Sequence, residues 1–376
     1  MDLELTRVQE DIRGRAAEFV RSELAPIAAE LDETKNREKL KAILKKLAGL
    51  GLMGIAVDPK YGGTGADSVA FSLALTEIGR GCASTAVTTS VTNMVAEVIQ
   101  GVGNEEQKAK YIPPLCSGEF SAGGFALTEA IAGSDPASMR MSAVDDGDAW
   151  ILNGNKIFIS SAEFAGVYVV WAVTDKDARK GKGISAFLVE PSFPGFRVGK
   201  EEKKLGQLAS PTNEVVFDNC RVPKENLLGV QNDGFRIAAS ELAGGRIGIG
   251  SMALGIGLAA LDCATNCVKE SGAGDELTRS IIADNFIRLQ GARLLLLQAA
   301  SLKDMKKFYA KEASMAKVYA TEAADRACRD AMQIMGDSGC MHGCPVERYS
   351  RDVRVTRIYE GTSEIQRLII AREILR

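Results

Sequence analysis

The sequence predicts an α+β protein in three parts. A helical N-terminal domain covers residues 1–115, a central β-barrel-like domain 116–225 and a C-terminal four-helix bundle 226–376. Three observations predict it. Apolar residues recur at helical spacing at both ends of the chain. From about residue 116 the period shortens towards two, and β-branched and aromatic residues become more frequent. Strand and helix do not alternate, and no G-x-G-x-x-G follows a strand, which argues against a doubly wound nucleotide-binding fold.

The helical pattern is clear in VQEDIRGRAAEFVRSELAPIAAEL, SVAFSLALTEIGRG and TTSVTNMVAEVIQGVG, with the glycine-rich stretch at 61–65 as a break. In the middle, strands are expected over 150–159, 167–174, 184–189 and 214–217. The charged run 175–183 and the proline pair in 191–195 read as connections. After Pro223 and the turn ending in Gly229, helical spacing returns. Ile282, Phe286, Leu289 and Leu296 fall on one helix face, and the last 150 residues would make about four long helices.

Composition narrows the chemistry. The 376 residues carry 46 Lys+Arg against 49 Asp+Glu, and a net charge of −3 disfavours a nucleic-acid binder held by phosphate neutralisation. No stretch reads as the ~20 apolar residues of a membrane span. The start, MDLELTRVQEDIRGR, lacks an apolar leader core, so a cytoplasmic protein is expected. The eight cysteines are scattered, a pattern of reduced thiols. His342 is the only histidine, and Cys340, His342 and Cys344 do not follow zinc spacing, so no metal is expected.

Three stretches carry chemistry: FALTEAIAGSD (125–135), KIFIS (156–160) and RDVRVTRIYEGTSEIQR (351–367). Taken in this order with YGGTG, EEQKAKYIPPL and GRIGIGSMALGIGLAALDCA, they resemble the acyl-CoA dehydrogenase family, most closely its short-chain, butyryl-CoA type members. The resemblance runs over essentially the whole chain. It implies FAD bound between the β domain and the bundle, usually in a homotetramer. It also implies an acyl-CoA substrate, oxidised to a trans-2-enoyl-CoA, and an electron-transferring flavoprotein as the electron partner.

By the same resemblance Glu360 is the base that removes the α-proton. A carboxylate suits that role when burial raises its pKa. The family's other base position is Gly245 here, which has no side chain to act, and nearby Glu241 reads as a surface residue. Phe125, Leu127, Thr128, Gly133 and Ser134 are expected along the flavin, with Thr128 on its pyrimidine edge and Ser134 also towards the CoA. Phe158, Ile159 and Ser160 stand where the family has Trp-Ile-Thr against the ring. Ala243, Arg246, Tyr359 and Gly361 are expected to contact substrate.

Gln333 and Gly336 match a turn that meets the ADP half of FAD from a neighbouring subunit. Thr362 and Glu364 match positions near the adenine, although a threonine before a helix also reads as an ordinary N-cap. Three departures stand out. Ala130 and Ile131 replace a Pro-Gly turn, Asp337 replaces a glycine beside the diphosphate, and the Arg-x-x-Phe-Gly expected between Cys267 and Ile282 is missing. A weaker hold on the diphosphate follows from them. Two other readings remain open: a flavin-poor acyl-CoA-binding subunit, and a related flavoenzyme that eliminates a β-substituent or reduces the enoyl-CoA.

Overall fold

The computed structural model describes residues 4–272 and 274–376. Six helices come first: α1 (Arg7–Phe19), α2 (Ala28–Thr34), α3 (Arg37–Gly49), α4 (Ser68–Gly81), α5 (Ala83–Val102) and α6 (Glu105–Ser117). Their starts are written locally. Thr6 and Gln9 form a capping box at α1, Asp67 caps α4, and Asn104 with Gln107 forms a second box at α6. Helix α5 is buried nearly all round despite its many hydroxyls. Thr88 and Thr92 return their hydroxyls to carbonyls one turn back, and Asn93 accepts the Gly54 and Ile55 N–H groups at 2.8 Å each.

The middle of the chain forms one eight-stranded sheet: β1 (Ala122–Ala126), β2 (Ser142–Asp145), β3 (Ala149–Ser160), β4 (Ala165–Val173), β5 (Ile184–Val189), β6 (Phe196–Glu201), β7 (Thr212–Pro223) and β8 (Leu227–Leu228). Its order is β6-β7-β3-β2-β4-β5-β8, with β1 pairing parallel to β4 off that path. Strand β1 escaped the sequence reading because it is AGGFA. A β-carbon at Gly124 would lie 2.3 Å from the Tyr168 ring, and one at Gly123 would lie 2.8 Å from Val95. The glycines let β1 slip between β4 and α5, so the strand carries no alternating pattern.

Three long helices follow, α7 (Gly234–Ser271), α8 (Glu276–Asp304) and α9 (Ala310–Met335), then the short α10 (Pro345–Val353) and α11 (Ser363–Ile374). The bundle's fourth side is thus two short helices rather than one long one. Phe286 does not share the buried face of Leu289 and Leu296; it is 53% exposed. Helix α7 is also long and apolar enough to cross a membrane by length and composition, a feature its many glycines and alanines conceal in the sequence. It is the core helix of the bundle, and its most apolar 18-residue stretch is 83% buried. It crosses α4 closely: a β-carbon at Gly255 would meet the Thr76 carbonyl oxygen at 2.1 Å, and one at Gly79 would meet that of Met252 at 2.6 Å. Trp171 on β4 donates to the Gly234 carbonyl at 2.8 Å, tying the sheet to the first turn of α7.

Candidate active site

A cavity of about 890 Å³ opens where the β1 end of the sheet faces α5, α7 and the segment before α11. Glu360 reaches into it from a turn in which Glu360 itself has φ +54° and Gly361 φ +88°. A left-handed glutamate is strained, and persists only where its surroundings hold it. Gln366 does so, donating from Nε2 to the carbonyls of Glu360 at 2.9 Å and Gly361 at 3.0 Å. Lys317 of α9 adds a bond from Nζ to the Gly361 carbonyl at 2.7 Å.

Glu360 Oε2 is buried with no hydrogen-bond partner. Burial pushes its pKa up to about 7, against the opposing pull of Arg246 and Lys317. The Glu360 backbone N–H also finds no acceptor among the described residues. Glu241, expected at the surface, is instead largely enclosed beside Glu97 and Lys303. Burial, then Glu97, push its pKa up to about 8, while Lys303 opposes the shift. That correction has a tertiary cause: α8 and α5 cover the α7 face on which Glu241 lies, and Lys303 bonds Glu97 at 2.5 Å.

The opposite wall comes from the sheet. Phe125, Leu127, Thr128, Gly133, Ser134 and Ser160 line it. Phe158 has φ +58° and is 59% exposed, so a large aromatic face is held open on the cavity. The loop is ordered by an ion pair the sequence reading overlooked. Lys156, fully buried, donates to Glu129 Oε1 at 2.8 Å and to the Leu127 carbonyl at 3.1 Å. Glu129 also accepts the N–H groups of Arg140 at 2.7 Å and Met141 at 3.0 Å. These bonds hold the turn that carries Ala130 and Ile131, which the Glu129–Ala132 bridge closes.

Ala243, Arg246, Tyr359 and Gly361 also line the cavity. Tyr359 accepts a bond from Gln207 Nε2 at 3.1 Å, and Arg246 Nη1 donates to Ser314 Oγ at 3.3 Å. The lining also carries Arg236, Lys306, Lys307, Arg372 and Arg376 against Asp135 and Glu373, a net positive charge in a chain of net charge −3, with Arg236 paired to Asp233 and both Arg372 and Arg376 paired to Glu373.

Other expected residues lie elsewhere. Ile159 does not face the cavity: it is 1% exposed and packs in the sheet's own core, since alternate residues of a strand point to opposite faces. Gln333 and Gly336 are exposed at the end of α9, outside the cavity. Thr362 caps α11, accepting the Ile365 N–H at 3.3 Å, and Glu364 is exposed in the first turn. Lys317 was legible in hindsight as the one charged residue among Ala313, Ala316, Ala320 and Ala324, all fully buried.

Three family models match successive parts of the chain: the acyl-CoA dehydrogenase N-terminal domain over 6–119, middle domain over 124–220 and C-terminal domain over 232–375. The short-chain specific mitochondrial acyl-CoA dehydrogenase of Rattus norvegicus is 45% identical, over 100% of this chain and 92% of its own length. Butyryl-CoA dehydrogenase of Megasphaera elsdenii superposes with a TM-score of 0.96 at 38% identity, all of each chain being covered. A chain from a structure described as the electron-transferring flavoprotein of Acidaminococcus fermentans gives 0.97 at 40%, again over all of both chains. A glutaryl-CoA dehydrogenase of Mycobacterium smegmatis in complex with FADH2 gives 0.91 at 30%, covering 98% of this chain and 95% of that one. The chain therefore belongs to the acyl-CoA dehydrogenase family of FAD-dependent oxidoreductases.

Proposed function

We propose that the protein dehydrogenates a short-chain acyl-CoA to its trans-2-enoyl-CoA, with Glu360 taking the α-proton. The observation that carries this reading is the unpaired, buried Glu360 Oε2 at the inner end of a cavity whose mouth is cationic. An α-hydrogen of a thioester is a weak acid. Its removal needs a base stripped of competing hydrogen bonds and a donor for the developing enolate. Glu360 meets the first need, and its free backbone N–H is available for the second.

The residues on the sheet side fit a flat aromatic cofactor. Phe158 presents an otherwise exposed ring, and Thr128 and Ser160 add hydroxyls beside it. The chemistry that FAD supplies when bound is acceptance of the β-hydrogen as hydride. Phe125, Leu127, Thr128, Phe158 and Ser160 would hold its ring end, with Gly133 and Ser134 between it and the substrate. Gln333, Gly336, Thr362 and Glu364 would serve its ADP end only in an oligomer. The exposed apolar side chains of α8, including Phe286, Ile287 and Leu294, suit the homotetramer this requires.

Arg246 stands where it can fix the thioester end, while Arg372 and the lysines at the mouth can meet CoA phosphates. Val87, Val91, Leu242 and Ile249 offer an apolar lining for the acyl chain. The Glu97–Lys303–Glu241 group adjoins that region, a poor neighbour for a long alkyl chain, which together with the named relatives favours short acyl groups. Electrons would leave to an electron-transferring flavoprotein, a partner in keeping with the Acidaminococcus similarity.

The test is anaerobic addition of butyryl-CoA to the purified flavoprotein. Bleaching of the visible flavin band is expected, and Glu360→Gln should bind the ligand without bleaching. Bleaching by the Gln variant at the parent rate would remove Glu360 from the base role.

A further inference from the structure

We propose that Lys317 is a positioning residue for the Glu360 base: from α9 it grips the Gly361 carbonyl at 2.7 Å, fixing the left-handed turn that aims the carboxylate and setting a positive charge beside it. The proposal rests on Glu360 being the base.

Lys317 is fully buried, and among the described residues the Gly361 carbonyl is its only hydrogen-bond partner and no carboxylate lies within salt-bridge distance of it. An ammonium has three donors and is costly to bury. Burial accordingly pulls its pKa down to about 8, with Glu360 the strongest opposing influence. An apolar residue would serve the α7–α9 packing better. The two helices meet closely here, a β-carbon at Gly250 falling 3.5 Å from Lys317 Cα, and the surrounding buried α9 positions are small: Ala313, Ser314, Ala316, Ala320 and Thr321. A lysine in this small-residue seam is explained by what its tip does at residue 361.

The charged groups facing Glu360 come from several elements. Arg246 on α7 and Lys317 on α9 stabilise its anion, and Glu241 on α7 and the phenol of Tyr359 in its own turn also lie within electrostatic range. Lys317 in turn senses Arg246, Glu364 on α11 and Glu322 on α9. Arg246 spends its hydrogen bond on Ser314, so Lys317 alone joins charge to a backbone grip on the turn.

The experiment compares Lys317→Met, Lys317→Gln and Lys317→Arg in the flavoprotein. It reads the pH profile of kcat/KM for butyryl-CoA and the pH titration of the protonated-carboxyl infrared band that Glu360→Gln removes. Loss of the positive charge should move the acid limb and the band midpoint upward by roughly one pH unit in Met and Gln, while Arg keeps them near the parent. Met fills the lysine's volume and should fold; if its melting temperature collapses, Gln carries the comparison. A uniform loss of rate with an unmoved midpoint would reduce Lys317 to a structural residue and overturn the proposal. Turnover by Glu360→Gln would instead overturn the base assignment on which it rests, so the two failures are distinguishable.

Discussion

A β-carbon on Gly245 would stand 2.7 Å from Glu360 Oε2 and 2.9 Å from Met94 Sδ. The α7 position that could have carried a base of its own is therefore the space into which the Glu360 carboxylate fits. A side chain at 245 would therefore compete with the Glu360 carboxylate for the same space.

Gly245→Ala should push the carboxylate out of line while leaving the fold in place. A displacement of about 1 Å costs on the order of a hundredfold in rate. The expected result is a kcat drop of that order with the melting temperature shifted by only a few degrees. Steady-state kinetics beside a thermal melt would check it, and unchanged kcat would show that Glu360 does not occupy this space during turnover.

The raised pKa of Glu360 fixes a pH dependence. In the role proposed for Glu360 the ionised form takes the proton, so kcat/KM should climb with pH through a single limb near 7. For stability the sign is opposite. The folded-state pKa of about 7 exceeds the ordinary value of 4.5, so the stability linked to the neutral form is complete below 4.5 and lost as pH rises through 7. Glu360→Gln should thus melt increasingly above the parent from about pH 5 to about 7 and by a steady margin at higher pH, and a difference constant across the whole range would contradict the buried, unpaired setting.

The cationic mouth predicts a split between binding and chemistry. Replacing Lys306, Lys307 and Arg372 with Gln should raise KM for acyl-CoA about fivefold per charge, at roughly 1 kcal/mol each, with kcat unchanged. The same contacts should weaken in high salt. Initial rates at two ionic strengths would test both, and a fall in kcat without a KM effect would exclude phosphate binding there.

Lys156→Met would leave Glu129 buried without its cation. Breaking such a pair costs about 3–5 kcal/mol, so the variant should melt well below the parent. Adding Glu129→Gln should restore part of the loss. Calorimetric melts of the single and double variants would decide it, and an undiminished melting temperature in Lys156→Met would show that the pair does not brace the loop.

The diphosphate end of FAD gives a final expectation. The Arg-x-x-Phe-Gly cation is missing, Asp275 caps α8, and Asp337 beside Gly336 puts a negative charge where the resemblance calls for a neutral glycine. Flavin should be lost on extensive dialysis at nanomolar protein. Retention, read from the visible spectrum, would count against a weak grip.

Much of the architecture was legible because helix and strand periodicities are local. Strands β4 and β5 carry apolar and β-branched runs, β3 has such residues at both of its ends, and all three were readable, as was the return to helix after Gly229. Strand β1 was not, because its glycines answer to Tyr168 and Val95, partners set by packing alone. In the site, motif order singled out Glu360 and the Thr128 segment, which the fold brings to one cavity, whereas Ile159, next to Phe158 and Ser160 in the same motif, turns into the sheet's core.

Sequence by itself determined the helical–β–helical order and the presence of one carboxylate in a family base position. Tertiary structure decided what that carboxylate experiences: a left-handed turn, a glycine-shaped space on α7, and two buried cations from separate helices. The reason is that a group's acidity depends on what surrounds it within a few ångströms. Those neighbours are 43 to 115 positions away along the chain, counting from 360 back to 317 and 245, and only packing brings them together.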